Sequence, residues 1–384
     1  MTAPLVEGLA RDHEVHVFSL THGNPGEEEG KTQLQGRVAS VTTVPGSSRV
    51  QLASLTGAAL SRDPYKVHRF WKPELAQRAE TLAKESPPDA VHCQNFYMAK
   101  YARCFPEPRR VLYKENFETL ILRRWAESAT NPITRSLIRL EEARTLDFER
   151  RSTLWFDEVL MISPRDADNL RAAAEDNPKV RKHLEKRLQT VRPSIALDYY
   201  DPSLIEQAEN PFAEDGRKPI VFTGTFDYQA NVEGAIWMAK EVLPRLPKDR
   251  YCLWLVGSNP SAAVRNLHSP SKIHVTGSVR DIRPYLYHAA LSVVPLRIGG
   301  GIRLKILESL ALGCPVVSTP VGCEGLWNES DAPVWEIAEG ADKFAEAIEK
   351  TADQQPDRPA LREWVEERFS PDRFVREMEE LYRG

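Results

Sequence analysis

The chain has 384 residues, more than a single hydrophobic core usually organises, so two domains are the first expectation. With 41% apolar and 28% charged residues it has the make-up of an ordinary globular protein. A formal net charge of −4 gives no overall attraction to nucleic acid, which is therefore not expected as a partner. No run of about 18 apolar residues occurs, which excludes a transmembrane helix, and the opening residues lack the order of a signal peptide. The expected location is cytoplasmic, or peripheral at the inner face of the membrane. Cys93, Cys104, Cys252, Cys314 and Cys323 form no Cys-x-x-Cys pair and no metal-like spacing with histidine, and read as core thiols in a reducing compartment.

The first dozen residues read as the latter part of an amphipathic helix feeding a strand at Val15–Leu20. Short apolar runs then alternate with helix-length segments: RVASVTTV, DAVHC, RVLYK and EVLMIS in the first half, PIVFTG, CLWLVG, KIHVTG, LSVVPL and PVVST in the second. Strands separated by helices imply right-handed crossovers and parallel sheets, so the expected class is α/β with two Rossmann-like domains. Periodicity lapses at VRPSIALDYYDP, which places the hinge near residue 193. The expected domains are 1–193 and 194–358, with helices over 359–384 that lack a strand partner and pack back toward the first domain.

Residues 117–155 form a long helical tract broken near Asn131-Pro132 and rich in arginine: Arg123, Arg124, Arg135, Arg139, Arg144, Arg150 and Arg151. Interleaved Glu118, Glu127, Glu141, Glu142 and Glu149 offer ordinary ion pairs along a solvated face. The alternative is peripheral contact with a membrane or an anionic acceptor.

The segment RIGGGIRLKILESLALGCPVVS carries the most chemistry. Gly299, Gly300 and Gly301 let the backbone turn and approach a ligand closely, and the helix expected from near Ile302 offers its N-terminal amides and positive dipole end to a diphosphate. Arg297, Arg303 and Lys305 add full charges at an end where cations oppose the dipole, which an anion between them would justify. Glu308, one turn beyond Lys305, is placed to accept from ribose hydroxyls, while Leu304 and Leu307 belong to the buried stripe. Gly224-Thr225-Phe226 makes a second strand-to-helix turn, and Gly277-Ser278-Val279 a third that is suited to a base. Three glycine-bearing loops at strand ends point to a nucleotide site. A glycine-rich turn with a Lys–Glu surface pair is the plain alternative for the first of them.

The stretches TGTFDYQANVEGAIWMAKEVLPRL, VTGSVRDIRPYLYHA and PLRIGGGIRLKILESLALGCPVVSTPVGCEGL together resemble the C-terminal signature of the family 4 glycosyltransferases, in particular bacterial exopolysaccharide-type sugar transferases. More loosely, ARDHEVHVFSL, PDAVHCQNFYMAKYA and YKENFETLILRRWAE are similar to the family's N-terminal half. The resemblance implies a GT-B architecture, two Rossmann-like domains with a cleft between them. It further implies a nucleotide-sugar donor held by the C-domain, a carbohydrate or lipid-linked acceptor on the N-domain, retention of anomeric configuration, and neither cofactor nor metal. Arg297, Arg303 and Lys305 would then clamp the leaving diphosphate, and Glu308 would match the family's helix carboxylate.

The chain departs from that pattern at several places. Gly300 stands where relatives carry a second glutamate, Thr225 and Asn231 where they carry Arg and Lys, and Glu115-Asn116 where they carry His-Asn. Glu115 and Asn116 become the N-domain candidates for catalysis, together with Arg303 and Lys305, and His92 is a competitor to Glu115. Relatives also open with a strand and glycine loop before the helix matched by PLVEGLARDHEV, so a central strand is expected to be missing. Either translation starts upstream of Met1, or the chain is a degenerate transferase that binds donor. A nucleotide-sugar epimerase and a non-catalytic binder are the competing functions. Asp166-x-Asp168 reads as helix-start acids rather than as a metal pair.

Overall fold

A computed structural model of the chain describes residues 2–23, 27–46, 61–299, 302–326, 335–354 and 357–384. The chain divides into two compact units, Met1–Ser194 with Pro371–Gly384, and Ile195–Ser370.

In the first unit, β1 (His16–Thr21) pairs in parallel with β2 (Ser40–Pro45) as a sheet of its own. A separate parallel sheet runs β3 (Ala90–Gln94), β4 (Arg109–Lys114), β5 (Glu158–Met161) and β6 (Leu188–Thr190) in that order. Because successive side chains of a strand point to opposite faces, β4 divides its residues between two cores. Leu112 joins Phe96, Phe148, Val159 and Leu170 on one side. Val111 and Tyr113 join Leu5, Leu160, Phe374 and Met378 on the other.

The arginine-rich tract forms two helices, Glu118–Ser128 and Pro132–Thr153. Asn131 causes the break, its side chain accepting from the amides of Ile133 and Thr134 while Pro132 takes the first helical position. Glu149 on the longer helix is fully buried and reaches Lys114 at 2.7 Å, the Thr119 hydroxyl at 2.6 Å and the amides of Glu118 and Thr119. One carboxylate thereby neutralises a buried ammonium and caps the helix that follows β4.

The second unit has one parallel sheet of six strands, in the order β12-β11-β10-β7-β8-β9. They are β7 (Lys218–Thr223), β8 (Tyr251–Val256), β9 (Ile273–Gly277), β10 (Leu291–Val294), β11 (Val316–Ser318) and β12 (Trp335–Ile337). The chain winds outward from β7 to β9 and then returns to the other side of β7 with β10. The order therefore reverses between β7 and β10, the position at which open α/β sheets bind ligands.

Two expectations need correction. Helix Arg358–Phe369 belongs to the second unit, where Leu361, Trp364, Val365 and Phe369 fill the core, and only Pro371–Arg383 returns to the first. The helix after the glycine run spans Leu304–Ala311, with Arg303 extended at its N-cap, so Ile302 and Arg303 lie outside it.

Candidate functional site

The loops on either side of the reversal point carry the glycines and charges singled out above. After β7, Gly224 sits where an added Cβ would meet the Asn231 amide nitrogen at 2.8 Å and the Lys305 ammonium at 3.1 Å, so the approach needs glycine. After β10, Gly299 is buried with φ of +123°, a conformation that side-chain-bearing residues rarely adopt. Gly300 and Gly301 lie outside the described residues.

Lys305 projects from the first turn of Leu304–Ala311 and donates to the Thr223 carbonyl at 2.6 Å and to Asn231 Oδ1 at 3.1 Å. The Asn231 amide in turn donates to the Thr225 carbonyl at 2.9 Å. The ammonium also lies 4.7 Å from the centre of the Phe222 ring. Burial pushes its pKa down to about 7, the Arg303 charge adds to the fall, and Glu308 opposes it. No side chain caps this helix, although the Ile306 amide donates to the Arg303 carbonyl at 2.9 Å.

Burial raises Glu308 above the usual carboxylate range, while a hydrogen bond from Tyr200 and the charge of Lys305 pull the other way. Tyr200, from the segment that opens the second unit, went unnoticed in the sequence because it lies far from Glu308 along the chain and in no motif. Arg297 is exposed, and Arg303 and Leu304 are half-buried. At the third loop Gly277 is left-handed, with φ of +69°, Ser278 is exposed and Val279 packs on the core.

Phe226 is a correction. Its ring is fully buried against Phe222 at 5.4 Å between centroids, and its amide donates to the Ser258 carbonyl at 2.8 Å. It offers a ligand neither ring nor N–H, and it anchors the turn from beneath. Thr225, one residue earlier, is exposed.

In the first unit, Glu115 and Asn116 follow β4 and are half-buried. Glu115 accepts from Gln94 Nε2 at 2.8 Å, Gln94 Oε1 lies 3.0 Å from His92 Nε2, and His92 Nδ1 lies 2.9 Å from the Tyr382 hydroxyl. Burial lowers the pKa of His92, so it is neutral near pH 7. Polarity then orders the chain: Tyr382 donates to His92, His92 to Gln94 and Gln94 to Glu115. The two rival candidates of the sequence, His92 and Glu115, are members of one network.

Asp166 accepts from the Ser163 hydroxyl at 2.6 Å and from the Phe117 amide at 3.3 Å, its own amide donates back to the Ser163 oxygen at 3.1 Å, and Asp168 pairs with Arg171. Both are structural carboxylates at a helix start. Among the described residues no group of three or more His, Cys, Asp or Glu converges on a common metal position. On the arginine-rich helices, Arg123 and Arg139 both pair with Glu142, and Arg150 pairs with Asp176. Trp125, Ile133, Leu137 and Leu140 are exposed nearby. No helix among the described residues is long and apolar enough to cross a membrane.

This parallel sheet, whose strand order reverses between β7 and β10, is that of one Rossmann-like half of a GT-B fold. Among solved structures, the Anabaena protein HepE in complex with UDP is similar over 95% of this chain and 98% of its own, at 12% identity and a TM-score of 0.62. The α,α-trehalose 6-phosphate synthase from Burkholderia multivorans is similar over 96% and 98%, at 11% identity and a TM-score of 0.64. WaaG, a glycosyltransferase involved in lipopolysaccharide biosynthesis, is similar over 98% and 90%, at 18% identity and a TM-score of 0.58. No curated protein matches the sequence. Residues 217–354, all within the second unit, match the family described as glycosyl transferases group 1.

Proposed function

We propose that the chain transfers a sugar from a nucleoside-diphosphate sugar to a carbohydrate or lipid-linked acceptor, with retention of anomeric configuration. The observation that carries this reading is the position of Lys305. Its ammonium is held at the turn after β7 by Thr223 and Asn231, beside Arg303 and the uncapped start of Leu304–Ala311. A diphosphate there would meet two cations and a helix N-terminus at the reversal point of the sheet. These groups would stabilise the charge that grows on the leaving diphosphate, and no metal or cofactor is invoked. Glu308 would hold the ribose. On the first unit, Glu115 and Asn116 would bind and orient the acceptor, with Glu115 steadied by Gln94.

The acceptor reading has a second support. The exposed Trp125, Ile133, Leu137 and Leu140 lie on helices that also carry Arg123, Arg124, Arg135 and Arg139, a composition suited to peripheral contact with an anionic lipid surface. Sedimentation with phosphatidylglycerol vesicles, compared with neutral vesicles, tests that contact.

The reaction itself is tested by incubating the full chain with UDP-, ADP- and GDP-sugars and following free nucleotide with and without glycan or lipid-linked acceptors. Acceptor-dependent release is expected. Interconversion of the donor sugar without release would replace the reading by an epimerase, and binding without turnover would replace it by a non-catalytic binder. Unchanged donor binding after Arg303→Ala combined with Lys305→Ala would remove the proposed clamp.

A further inference from the structure

In the helix Pro371–Arg383, Phe374, Met378 and Tyr382 recur at every fourth position and so share one face. Phe374 and Met378 fill the core around Val111 and Tyr113, and Tyr382 packs against it. The last turn of this helix is fixed to the start of β4, where Arg109 Nε donates to the Leu381 carbonyl at 2.6 Å. Tyr382 is thereby carried to β3. Its ring meets that of His92 at 6.1 Å and nearly perpendicular, and its hydroxyl lies 2.9 Å from His92 Nδ1. Burial raises the Tyr382 pKa above its ordinary value, so the hydroxyl keeps its proton and can donate.

Every link from there to Glu115 is polar in one direction only. A carboxylate accepts and cannot donate, so Gln94 must turn its amide nitrogen to Glu115 and its oxygen to His92. That oxygen demands a proton on His92 Nε2, which leaves Nδ1 bare to accept from Tyr382. We propose that His92 and Tyr382 are positioning residues for Glu115: the carboxylate selects the Nε2–H tautomer of His92, and the tyrosine hydroxyl locks that tautomer from the last helix. One reversed dipole along the chain would set two donors or two acceptors face to face away from water, where neither finds a substitute. The orientation of Gln94, and with it the hold on Glu115, therefore depends on a contact between residues 290 positions apart. The effect on turnover rests on the proposed role of Glu115 toward the acceptor; the tautomer does not.

Solution NMR on the full chain with ring-labelled histidine reads the tautomer at pH 7, the His92 signals being those lost in His92→Phe. The wild type is expected to show the Nε2–H form alone. Glu115→Gln should bring in the Nδ1–H form, since an amide can turn either of its atoms to Gln94. In the nucleotide-release assay, run with UDP-glucose and a glycan acceptor, Tyr382→Phe should lower acceptor-dependent release about 2- to 10-fold, the contribution of one hydrogen bond, at unchanged affinity for UDP. Made in the Gln94→Leu background, the same change should have no further effect, because the path is already cut. A tyrosine that served packing alone would lower the rate equally in both backgrounds, and that result overturns the proposal. It is overturned as well by a cationic or Nδ1–H His92 in the wild type, or by a tautomer that Glu115→Gln does not move. Absence of acceptor-dependent release in the wild type would sink the transfer reading and leave the tautomer to decide this one.

Discussion

Lys305 Nζ donates to Asn231 Oδ1 across 3.1 Å, and through it a helix beyond β10 is tied to the turn beyond β7. Asn231 also holds Thr225, so the loops that flank the reversal point are one hydrogen-bonded assembly.

On the proposed reading, that assembly makes donor binding depend on pH. Lys305 titrates at about 7 in the folded chain because its ammonium is buried, against roughly 10.4 when unfolded. Below pH 7 the group is protonated in both states, and the fold bears the full cost of burying the charge. Between about 7 and roughly 10.4 the unfolded chain binds the extra proton, so stability rises with pH across that window. A diphosphate prefers the ammonium, so binding takes up a proton above pH 7. Calorimetry with UDP-glucose is expected to show affinity falling from about pH 6 to about pH 8.5, with proton uptake at the upper end. Lys305→Met should flatten that profile and weaken binding at the lower pH by roughly 10- to 100-fold, the loss of a charged hydrogen bond. A wild-type profile that is flat over the same range rules the mechanism out.

On the proposed reading, Glu308, hydrogen-bonded by Tyr200, distinguishes binding of the nucleoside from binding of the phosphates. Glu308→Ala should weaken UDP by about 10-fold or more, as expected for lost hydrogen bonds to a carboxylate, and leave pyrophosphate binding unchanged. Tyr200→Phe frees the Glu308 carboxylate without removing it and should have a smaller effect in the same direction. Equal losses for UDP and pyrophosphate would place Glu308 at the phosphates instead.

The buried pair of the first unit makes a stability prediction. Glu149→Ala leaves the Lys114 ammonium and the amides of Glu118 and Thr119 without their acceptor. The expected cost is about 3–5 kcal/mol in denaturant unfolding. Lys114→Met combined with Glu149→Leu should recover much of it, and a double variant no more stable than Glu149→Ala would show that the packing, not the charge, matters.

The network to Glu115 is tested by Gln94→Leu, which cuts the link while keeping its size. If Glu115 acts on the acceptor, turnover should fall about 10- to 100-fold with donor affinity unchanged. Gln94→Glu places a second carboxylate beside Glu115 and should be worse still. An unaltered rate in both would make Glu115 an ordinary loop residue.

What the sequence made legible follows from the range of the forces. Strands such as PIVFTG and CLWLVG, and the break at Asn131-Pro132, are written in neighbouring residues and stand where the pattern puts them. The position of Gly299 was also readable, since its φ of +123° is a local backbone demand, whereas Gly224 answers to the approach of Asn231 and Lys305. Phe226 was misread because a turn motif does not say which of its members faces inward. Tyr200 at Glu308, and Tyr382 at His92, join residues more than a hundred positions apart, and nothing in their local spacing announces the contact.

The last helix has a consequence for how the protein is made. Phe374, Val375 and Met378 complete the core around Val111 and Tyr113, although more than two hundred residues are synthesised between them. On the ribosome, the first unit is obliged to wait with that face uncovered until the whole of the second has emerged. Chaperone dependence during translation, and sensitivity to stop codons within the final helix, should therefore fall on the unit whose chain begins first.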